Sequence, residues 1–389
     1  MVSYSFYETD TRVMNYAEAL ASRGDHVDVI ALRKKSEGNF KVVRGVSIYK
    51  IQERSLNEYR SFTYFFKLLK FFLKSTIILT LRHSRKSYDL IHIHTIPDFQ
   101  VFCTFIAKLT GSKVILDIHD LVPELYANKF GVDDNSLIFK ALLKIEQISA
   151  QYADHVILAN HIWGEKLKLR ANLDEKSTVF INYYDSKTFH PRPKVNKKEF
   201  IAIYPGSLNY HQGLDIAIKA LSLIRNEINN FKFYIYGEGP QKKILRDLIE
   251  RVNLTDIVFL NDQKPIDDIA EIIASADLGI VPKRNDFFGS EAFSTKILEF
   301  MSSGVPVILS KTKIDSFYFN DEVVKFFEPE NEHDLAKSIL LLLKDDGFRN
   351  QIIQNALRFS KNFSWQEKKS EYYTLVDSLI AVKKITHTL

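Results

Sequence analysis

The chain has 389 residues, of which 46% are hydrophobic and 26% charged, a composition typical of a globular protein long enough for two domains. Its single cysteine, Cys103, excludes a disulfide framework and fits a reducing compartment. The net charge is only +5 and no nucleic-acid recognition motif is found, so nucleic acid is not an expected partner. The first residues lack the basic and apolar regions of a signal peptide, and a cytoplasmic location is expected.

The first half of the chain alternates short apolar runs with runs of helical spacing. The expected strands cover 2–6, 26–32, 42–51, 90–94, 113–118 and 155–158. The expected helices cover 12–23, 99–109 and 136–152. Short strands separated by helices are typical of a doubly wound parallel sheet, so an α/β fold is predicted.

A linker is predicted at 191–198, where prolines and basic residues interrupt the alternation before it resumes. The later strands are expected at 200–204, 231–236, 257–260, 278–281, 305–309 and 323–327, and the helices at 214–224, 242–252, 266–275, 295–302 and 332–343. The chain is therefore predicted to form two Rossmann-like domains, 1–190 and 199–364, facing a central cleft. Ligands of such sheets bind at the carboxyl ends of the strands, which makes the cleft the expected site.

The most informative stretch is 281–309, in which Glu291 and Glu299 lie eight residues apart. Glu299 lies on a helix predicted to begin near Ser294, and a helix N-terminus offers unpaired N–H groups to a diphosphate. A carboxylate in the first turns can accept hydrogen bonds from ribose hydroxyls, and Glu291 in the preceding loop can reach a sugar. Lys296 adds a cation in the same turn. Each glutamate alone is more often an ordinary helix-start residue, so the combination carries the hypothesis.

This stretch resembles the donor-site signature of the family 4 retaining glycosyltransferases, which have the GT-B fold. The resemblance extends over almost the whole chain. Its other matched segments are 114–124, 204–215, 236–240, 276–282 and 363–365. It implies a nucleoside-diphosphate sugar as donor, a hydroxyl of a glycan or lipid-linked acceptor, and no cofactor or metal. It also implies an acceptor-binding domain 1–190, a donor-binding domain 199–364, and a C-terminal helix 365–389 that crosses back to the first domain.

The resemblance assigns roles to individual residues of this chain. Glu299 would hold the donor ribose, while Glu291 and His119 would contact the donor sugar as the catalytic pair. The implied donor-binding set comprises Gly206, Ser207, Gln212, Gly213, Gly237, Lys283, Arg284, Phe293, Ser294, Thr295, Lys296 and Glu299. The implied acceptor side comprises Arg12, His94 and Asp120.

Two positions depart from the family pattern. Many members carry an arginine after the first glycine of the loop and a lysine before the second, whereas this chain has Ser207 and Gln212. The charge of the leaving diphosphate must then be met by helix N-termini, Lys296, Lys283 or Arg284. A catalytically weak binding or scaffold protein, a nucleotide-sugar epimerase and a phosphorylase therefore stay open as alternatives.

The histidines and Arg12 have alternative interpretations. His119 ends a predicted strand and is expected at the cleft as a hydrogen-bond partner of the sugar, or else as a core or capping histidine. His92 and His94 face one side of a strand, but no third metal ligand follows at convincing spacing. Asp10 is a candidate N-cap, and Arg12 faces either an acceptor phosphate or solvent.

Residues 61–86 form a basic, aromatic-rich segment. Apolar residues at helical spacing (Phe62, Phe65, Phe66, Leu69, Phe72 and Leu73) alternate with a lysine stripe at 67, 70 and 74. The lysines argue against a membrane-spanning helix. The pattern suits an amphipathic helix at an anionic membrane surface, and a peripheral location at the inner face of the cytoplasmic membrane is predicted. The alternative is a domain helix with a buried apolar face and a solvated lysine stripe.

Overall fold

A computed structural model of the chain describes residues 1–35, 37–54, 61–133, 135–173, 175–193 and 198–386, with side chains left undescribed at 61–63, 128–130 and 382–386. The chain divides into two compact units, one formed by Met1–Asn182 with Lys369–Leu389 and the other by Tyr183–Lys368. The N-terminal part of the first unit therefore ends at Asn182, before the predicted linker at 191–198. Residues 194–197 of that linker lie outside the described residues.

The first unit contains an eight-stranded sheet within the described ranges. Its strands are β1 (Val2–Ser3), β2 (Asp28–Arg33), β3 (Phe40–Val43), β4 (Val46–Glu53), β5 (Leu90–His94), β6 (Lys113–Ile118), β7 (His155–Leu158) and β8 (Ser177–Val179). The order is β3-β4-β2-β1-β5-β6-β7-β8, and every neighbouring pair except β3 and β4 is parallel. The predicted doubly wound sheet is confirmed for this half.

One predicted strand is wrong. The alternation at 42–51 indicated a single strand, but the chain turns back at Arg44 and Gly45, so β3 and β4 form an antiparallel hairpin. Both turn residues have positive φ, 48° and 82°, as a two-residue hairpin turn requires. The alternating pattern runs unbroken through this turn, and it therefore concealed the hairpin.

The helices of the first unit are α1 (Thr11–Ser22), α2 (Ser61–Arg85), α3 (Phe105–Leu109), α4 (Val122–Phe130), α5 (Leu137–Tyr152) and α6 (His161–Ala171). A 3-10 segment, Asp98–Thr104, precedes α3 where one helix was predicted. Asp10 accepts a hydrogen bond from the Val13 amide and caps α1. Parallel connections are right-handed, so the crossovers that run from β4 towards β7 place α2, α3 and α5 on the same face of the sheet.

The second unit contains a six-stranded parallel sheet. Its strands are β9 (Phe200–Pro205), β10 (Phe231–Tyr236), β11 (Val258–Asn261), β12 (Leu278–Val281), β13 (Val307–Ser310) and β14 (Lys325–Phe327), in the order β11-β10-β9-β12-β13-β14. The chain reverses its direction of winding between β9 and β12, which are neighbours. In doubly wound sheets this switch point is where ligands bind, next to the loops that follow the two strands.

The helices of the second unit are α7 (Leu214–Leu223), α8 (Lys242–Arg251), α9 (Ile266–Ser275), α10 (Thr295–Ser302), α11 (Lys313–Tyr318), α12 (Glu332–Lys344) and α13 (Asp346–Ser360). The last helix, α14 (Trp365–Thr386), starts in the second unit and belongs to the first from Lys369 onwards. Across the described ranges, every helix is either too short or too polar to cross a bilayer.

Candidate active site

Three loops meet backbone to backbone at the switch point of the second unit. Gly206 follows β9 with a φ of 146°, and Gly213 ends the same loop with a φ of 65°. A Cβ atom on Gly213 would lie 1.9 Å from the carbonyl oxygen of Pro282, and one on Gly237 would lie 1.8 Å from that of Gly206. These approaches are possible only because glycine has no side chain, and they hold the loops after β9, β10 and β12 together.

We expect Gly237→Ala to destabilise the second unit by about 3 kcal/mol, because the new methyl group must displace the backbone of Gly206. Gly347→Ala is the matched control, since its added Cβ on α13 meets nothing closer than 3.4 Å. Urea unfolding measures both. Equal stability of the two variants would contradict the close packing of the loops.

The two residues that replace the family's cations form a neutral hydrogen-bonded group. Tyr204, fully buried at the end of β9, donates its hydroxyl proton towards Gln212 Oε1 at 2.8 Å and the Ser207 carbonyl oxygen at 3.1 Å. Gln212 Nε2 lies 3.0 Å from the ring nitrogen Nε2 of His211. The loop is thereby ordered, but Ser207 and Gln212 supply no positive charge.

Lys296 supplies a cation beside this loop. It lies in the first turn of α10, and its Nζ is 4.8 Å from the centre of the Tyr204 ring. A Cβ atom on Gly206 would lie only 3.3 Å from the same Nζ, and Ser294 Oγ accepts a hydrogen bond from it at 3.3 Å. Burial lowers the pKa of Lys296 to about 8, an effect that Glu299 partly opposes.

Glu299 lies one turn further along α10 and is partly buried. Burial raises the pKa of its carboxyl group to about 7, against the opposing charge of Lys296. Among the described residues, none donates a hydrogen bond to this carboxylate. A partly exposed carboxylate in the first turns of a helix, beside a glycine loop and a lysine, is chemically suited to bind hydroxyl groups.

Lys283 and Arg284, proposed from the sequence as diphosphate ligands, have their charges neutralised inside the second unit. Lys283 is 2% exposed, forms an ion pair with Asp315 at 2.9 Å and donates to the Ala292 carbonyl oxygen. Arg284 donates to both oxygens of Asp215 at 2.7 Å and stacks on Tyr210. These contacts position the loop after β12, and neither cation is carried into the proposal below.

Polar and aromatic contacts connect the loop before α10 to α11. Glu291, 9% exposed, accepts a hydrogen bond from Lys313 Nζ at 2.8 Å, and the Ser290 carbonyl accepts one from the Ile314 amide. Phe293 packs edge-on against Tyr318 at 4.8 Å. Sequence analysis missed Lys313, although its place just after β13, at the carboxyl edge of the sheet, was the available signal.

Asp117 is the centre of a buried cluster in the first unit. It is the penultimate residue of β6 and accepts hydrogen bonds from Arg12 at 2.7 and 2.8 Å. Its Oδ2 also lies 3.1 Å from both His94 Nδ1 and His119 Nε2. Arg12 is buried, and it also donates to the Phe180 carbonyl and to Asn182. Since its guanidinium is engaged within the unit, the acceptor-phosphate role of Arg12 is not carried forward.

The pKa values of the three histidines of this cluster shift in different directions. Burial lowers the pKa of His94 and, more strongly, that of His92, so both are neutral. The carboxylate of Asp117 overcomes burial at His119 and raises its pKa. His119 turns Nε2 inward and keeps about a fifth of its side chain exposed, so its outer edge can meet a ligand. Asp120 follows, partly buried, with its pKa raised by burial.

His92, His94 and Asp117 have candidate metal-ligand atoms within 4.8 Å of one another. The sequence concealed the third group because Asp117 lies on the neighbouring strand. Its oxygens already accept hydrogen bonds from Arg12, whose positive charge opposes a second cation at the same place. We therefore propose no metal at this cluster.

Comparison with protein families now identifies both halves of the chain. The model of the glycosyl transferase 4-like domain matches residues 9–182, and that of the glycosyl transferases group 1 matches residues 185–359. The chain is a group 1 glycosyltransferase of family 4. It is thus an enzyme of glycosyl transfer, as the sequence resemblance indicated.

Individual relatives of this glycosyltransferase are distant. It is 25% identical over 341 residues to the gpi3 subunit of phosphatidylinositol N-acetylglucosaminyltransferase from Schizosaccharomyces pombe, covering 86% of this chain and 70% of that protein. Sucrose-phosphate synthase from Thermosynechococcus elongatus aligns over 98% of both chains with a TM-score of 0.82 and 18% identity. Anabaena HepE in complex with UDP-glucose aligns over 97% of this chain and 98% of its own, with a TM-score of 0.73 and 17% identity. These likenesses establish the GT-B fold.

Proposed function

We propose that this glycosyltransferase moves a sugar from a nucleoside-diphosphate sugar to a hydroxyl group of a glycan or lipid-linked acceptor, with retention of anomeric configuration. The observation that carries the proposal is the pairing of Lys296, beside the Gly206 loop, with the carboxylate of Glu299 on the same helix, to which no described residue donates a hydrogen bond. HepE, a protein of the same fold, has been solved with UDP-glucose, which supports a nucleotide-sugar donor.

The donor would lie across the N-terminal end of α10. Its diphosphate would contact the amides of Ser294 and Thr295 and the ammonium group of Lys296, where the Gly206 loop allows close approach. Its ribose hydroxyls would donate to Glu299. In the transition state the C1–oxygen bond to the diphosphate breaks, so the charge near Lys296 increases and its attraction grows.

The sugar end would involve Glu291, which would accept hydrogen bonds from sugar hydroxyls. The contact of His119 with the donor sugar stays a prediction from the sequence. No enzymatic nucleophile is required, because the new bond to the acceptor oxygen forms on the face that the diphosphate leaves. The acceptor proton leaves with the nucleoside diphosphate.

Lys296 offers a test that depends on pH. We expect Lys296→Met to weaken nucleoside-diphosphate binding by roughly 30-fold, the loss of one charge-assisted contact worth about 2 kcal/mol. In the wild type the affinity should fall as the pH rises through about 8, because the lysine then loses its proton. Lys296→Arg keeps its charge over this range, and its affinity should stay flat with pH. A wild-type affinity that does not change with pH would contradict the assignment of Lys296 as a ligand of the diphosphate.

A panel of nucleotide sugars separates this function from its alternatives. The enzyme should release a nucleoside diphosphate from one donor when an acceptor is present. Ser207 and Gln212 favour slow turnover as a second candidate, because neither carries the charge that aids departure of the diphosphate. Binding of a donor with no release under any acceptor would favour a scaffold protein. Conversion of the donor without acceptor would favour an epimerase.

The proposal also includes a cellular role in polysaccharide synthesis at the inner face of the cytoplasmic membrane, with 61–86 as the membrane-binding segment. A lipid-linked acceptor is not required for donor binding, so membrane binding is tested separately. The Escherichia coli protein WcaL, named as a putative colanic acid biosynthesis glycosyltransferase, is 28% identical over 157 residues, 40% of this chain and 39% of its own. Its name, which refers to colanic acid biosynthesis, supports a biosynthetic role of this kind.

A further inference from the structure

Helix α2 is apolar on two opposite faces. The side that packs on the sheet contributes Leu68, Phe71 and Leu79, all nearly inaccessible to solvent. A second apolar stripe on the same helix is exposed and comprises Phe65, Phe66, Leu73, Ile77 and Leu81, each with at least half of its surface accessible. The alternative reading of this segment, a domain helix with a buried apolar face, holds for the side that packs on the sheet, but it does not account for the exposed apolar stripe. An ordinary surface helix shows one apolar stripe, so the second stripe requires another partner.

The exposed apolar surface continues onto the neighbouring helices. The segment 98–110 packs against both α2 and α5, through Phe72 on Phe99 at 5.8 Å and Phe102 on Tyr152 at 5.0 Å. The exposed apolar residues of α3 and α5 are Phe105, Ile106, Leu109, Leu137, Ile138, Ile145 and Ile148. Leu137 is 85% exposed. We call these exposed residues of α2, α3 and α5 the apolar platform.

The charges on the three helices are of one sign on the solvent side. Lys70, Arg85, Lys140 and Lys144 are exposed. Helices α2 and α3 contain no acidic residue, and the one in α5, Glu146, is 1% exposed and bonded to Arg170. An apolar surface with basic and no acidic groups matches an anionic bilayer surface, in which apolar side chains enter the interface and cations meet lipid phosphates.

We propose that the apolar platform docks this glycosyltransferase on an anionic lipid bilayer through three helices rather than through α2 alone. The platform extends the membrane contact of the proposed function to α3 and α5. Leu137 and Ile148 on α5 would enter the interface together with Ile77 on α2. Docking by a broad surface restricts the orientation of the first unit on the membrane, which one amphipathic helix does not.

Vesicle co-sedimentation of the full chain tests the proposal. The wild type should bind vesicles of phosphatidylcholine with about one-third phosphatidylglycerol at least roughly tenfold more tightly than vesicles of phosphatidylcholine alone, and salt should weaken the binding. The double variant Leu137→Glu/Ile148→Glu should lose at least roughly tenfold in affinity for the anionic vesicles, because two carboxylates would enter the interface. Ile244→Glu, at a 56% exposed position on α8 of the second unit, is the matched control and should bind normally.

Three outcomes would overturn the proposal. They are equal binding by the double variant and the wild type, equal binding to neutral and anionic vesicles, and self-association of the wild type that the double variant abolishes without any vesicle binding. Nucleoside-diphosphate affinity in solution, measured on the same variants, should be unchanged. If the protein binds a nucleoside diphosphate but not vesicles, only membrane docking by the apolar platform is refuted. If it binds no nucleoside diphosphate, the proposed function is refuted.

Discussion

Glu299→Ala should reduce nucleoside-diphosphate-sugar binding by roughly 30- to 1000-fold, the loss of about 2–4 kcal/mol from charge-assisted hydrogen bonds to ribose hydroxyls. The carboxylate is not otherwise used, since no described residue donates a hydrogen bond to it. Its whole hydrogen-bonding capacity is thus available to a ligand. Isothermal titration calorimetry with the donor or its nucleoside diphosphate measures the change.

The same substitution should leave the stability of the ligand-free protein unchanged or increase it. Burial raises the folded-state pKa of Glu299 to about 7, above its unfolded value, so ionisation of this group opposes folding at neutral and higher pH. Removing the carboxylate removes that cost. Glu250→Ala, at an exposed position on α8, is the control and should change neither affinity nor stability. A large fall in melting temperature for Glu299→Ala would mean that the residue is structural.

Asp117→Ala should destabilise the first unit by about 3–5 kcal/mol, because it leaves the buried guanidinium of Arg12 without its counter-charge. Asp377→Ala removes the carboxylate of an exposed ion pair with Arg23 in the same unit and should cost under about 1 kcal/mol. Hydrogen exchange localises the loss to the first unit. Similar costs for the two variants would contradict the central role of Asp117.

The destabilisation by Asp117→Ala should depend on pH, and its sign follows from the directions in which the pKa values of Asp117 and His119 are shifted. Arg12 and the histidines hold the pKa of Asp117 well below its ordinary value, so the stability it contributes is present above its unfolded pKa and lost as pH falls through the folded one. His119 has the opposite sign, because its pKa is raised and its contribution is lost as pH rises through that value. The stability difference between wild type and Asp117→Ala should therefore shrink in acid.

The arrangement of strands and helices was largely accessible from the sequence, because each half alternates apolar strands with helices of 3.6-residue period. Glu299 and Lys296 were identified from the eight-residue spacing of Glu291 and Glu299 at a predicted helix start and from the resemblance of this stretch to a donor-site signature. Their roles stay predictions, as do those of Glu291 and His119. The hairpin at Arg44 and Gly45 was missed, because period-two alternation does not show where a strand reverses.

Other features depend on tertiary packing and could not be predicted. Asp117 meets Arg12 and His94 across different elements, so no sequence spacing connects them. Sequence periodicity also could not show which apolar stripe of α2 faces the sheet, since the helix has two. The ion pair of Lys283 with Asp315 was hidden for the same reason, because Lys283 lies in the loop after β12 and Asp315 lies on α11.

Calorimetric titration of the wild type, two site variants and one control variant with a set of nucleoside diphosphates tests the donor site most directly. The site described here predicts that one nucleoside diphosphate binds the wild type, that Lys296→Met and Glu299→Ala each weaken this binding by at least roughly tenfold, and that Glu250→Ala binds as the wild type does. Absence of binding by every nucleoside diphosphate, or equal affinity in wild type and both site variants, would contradict a nucleotide-sugar site built on Lys296 and Glu299.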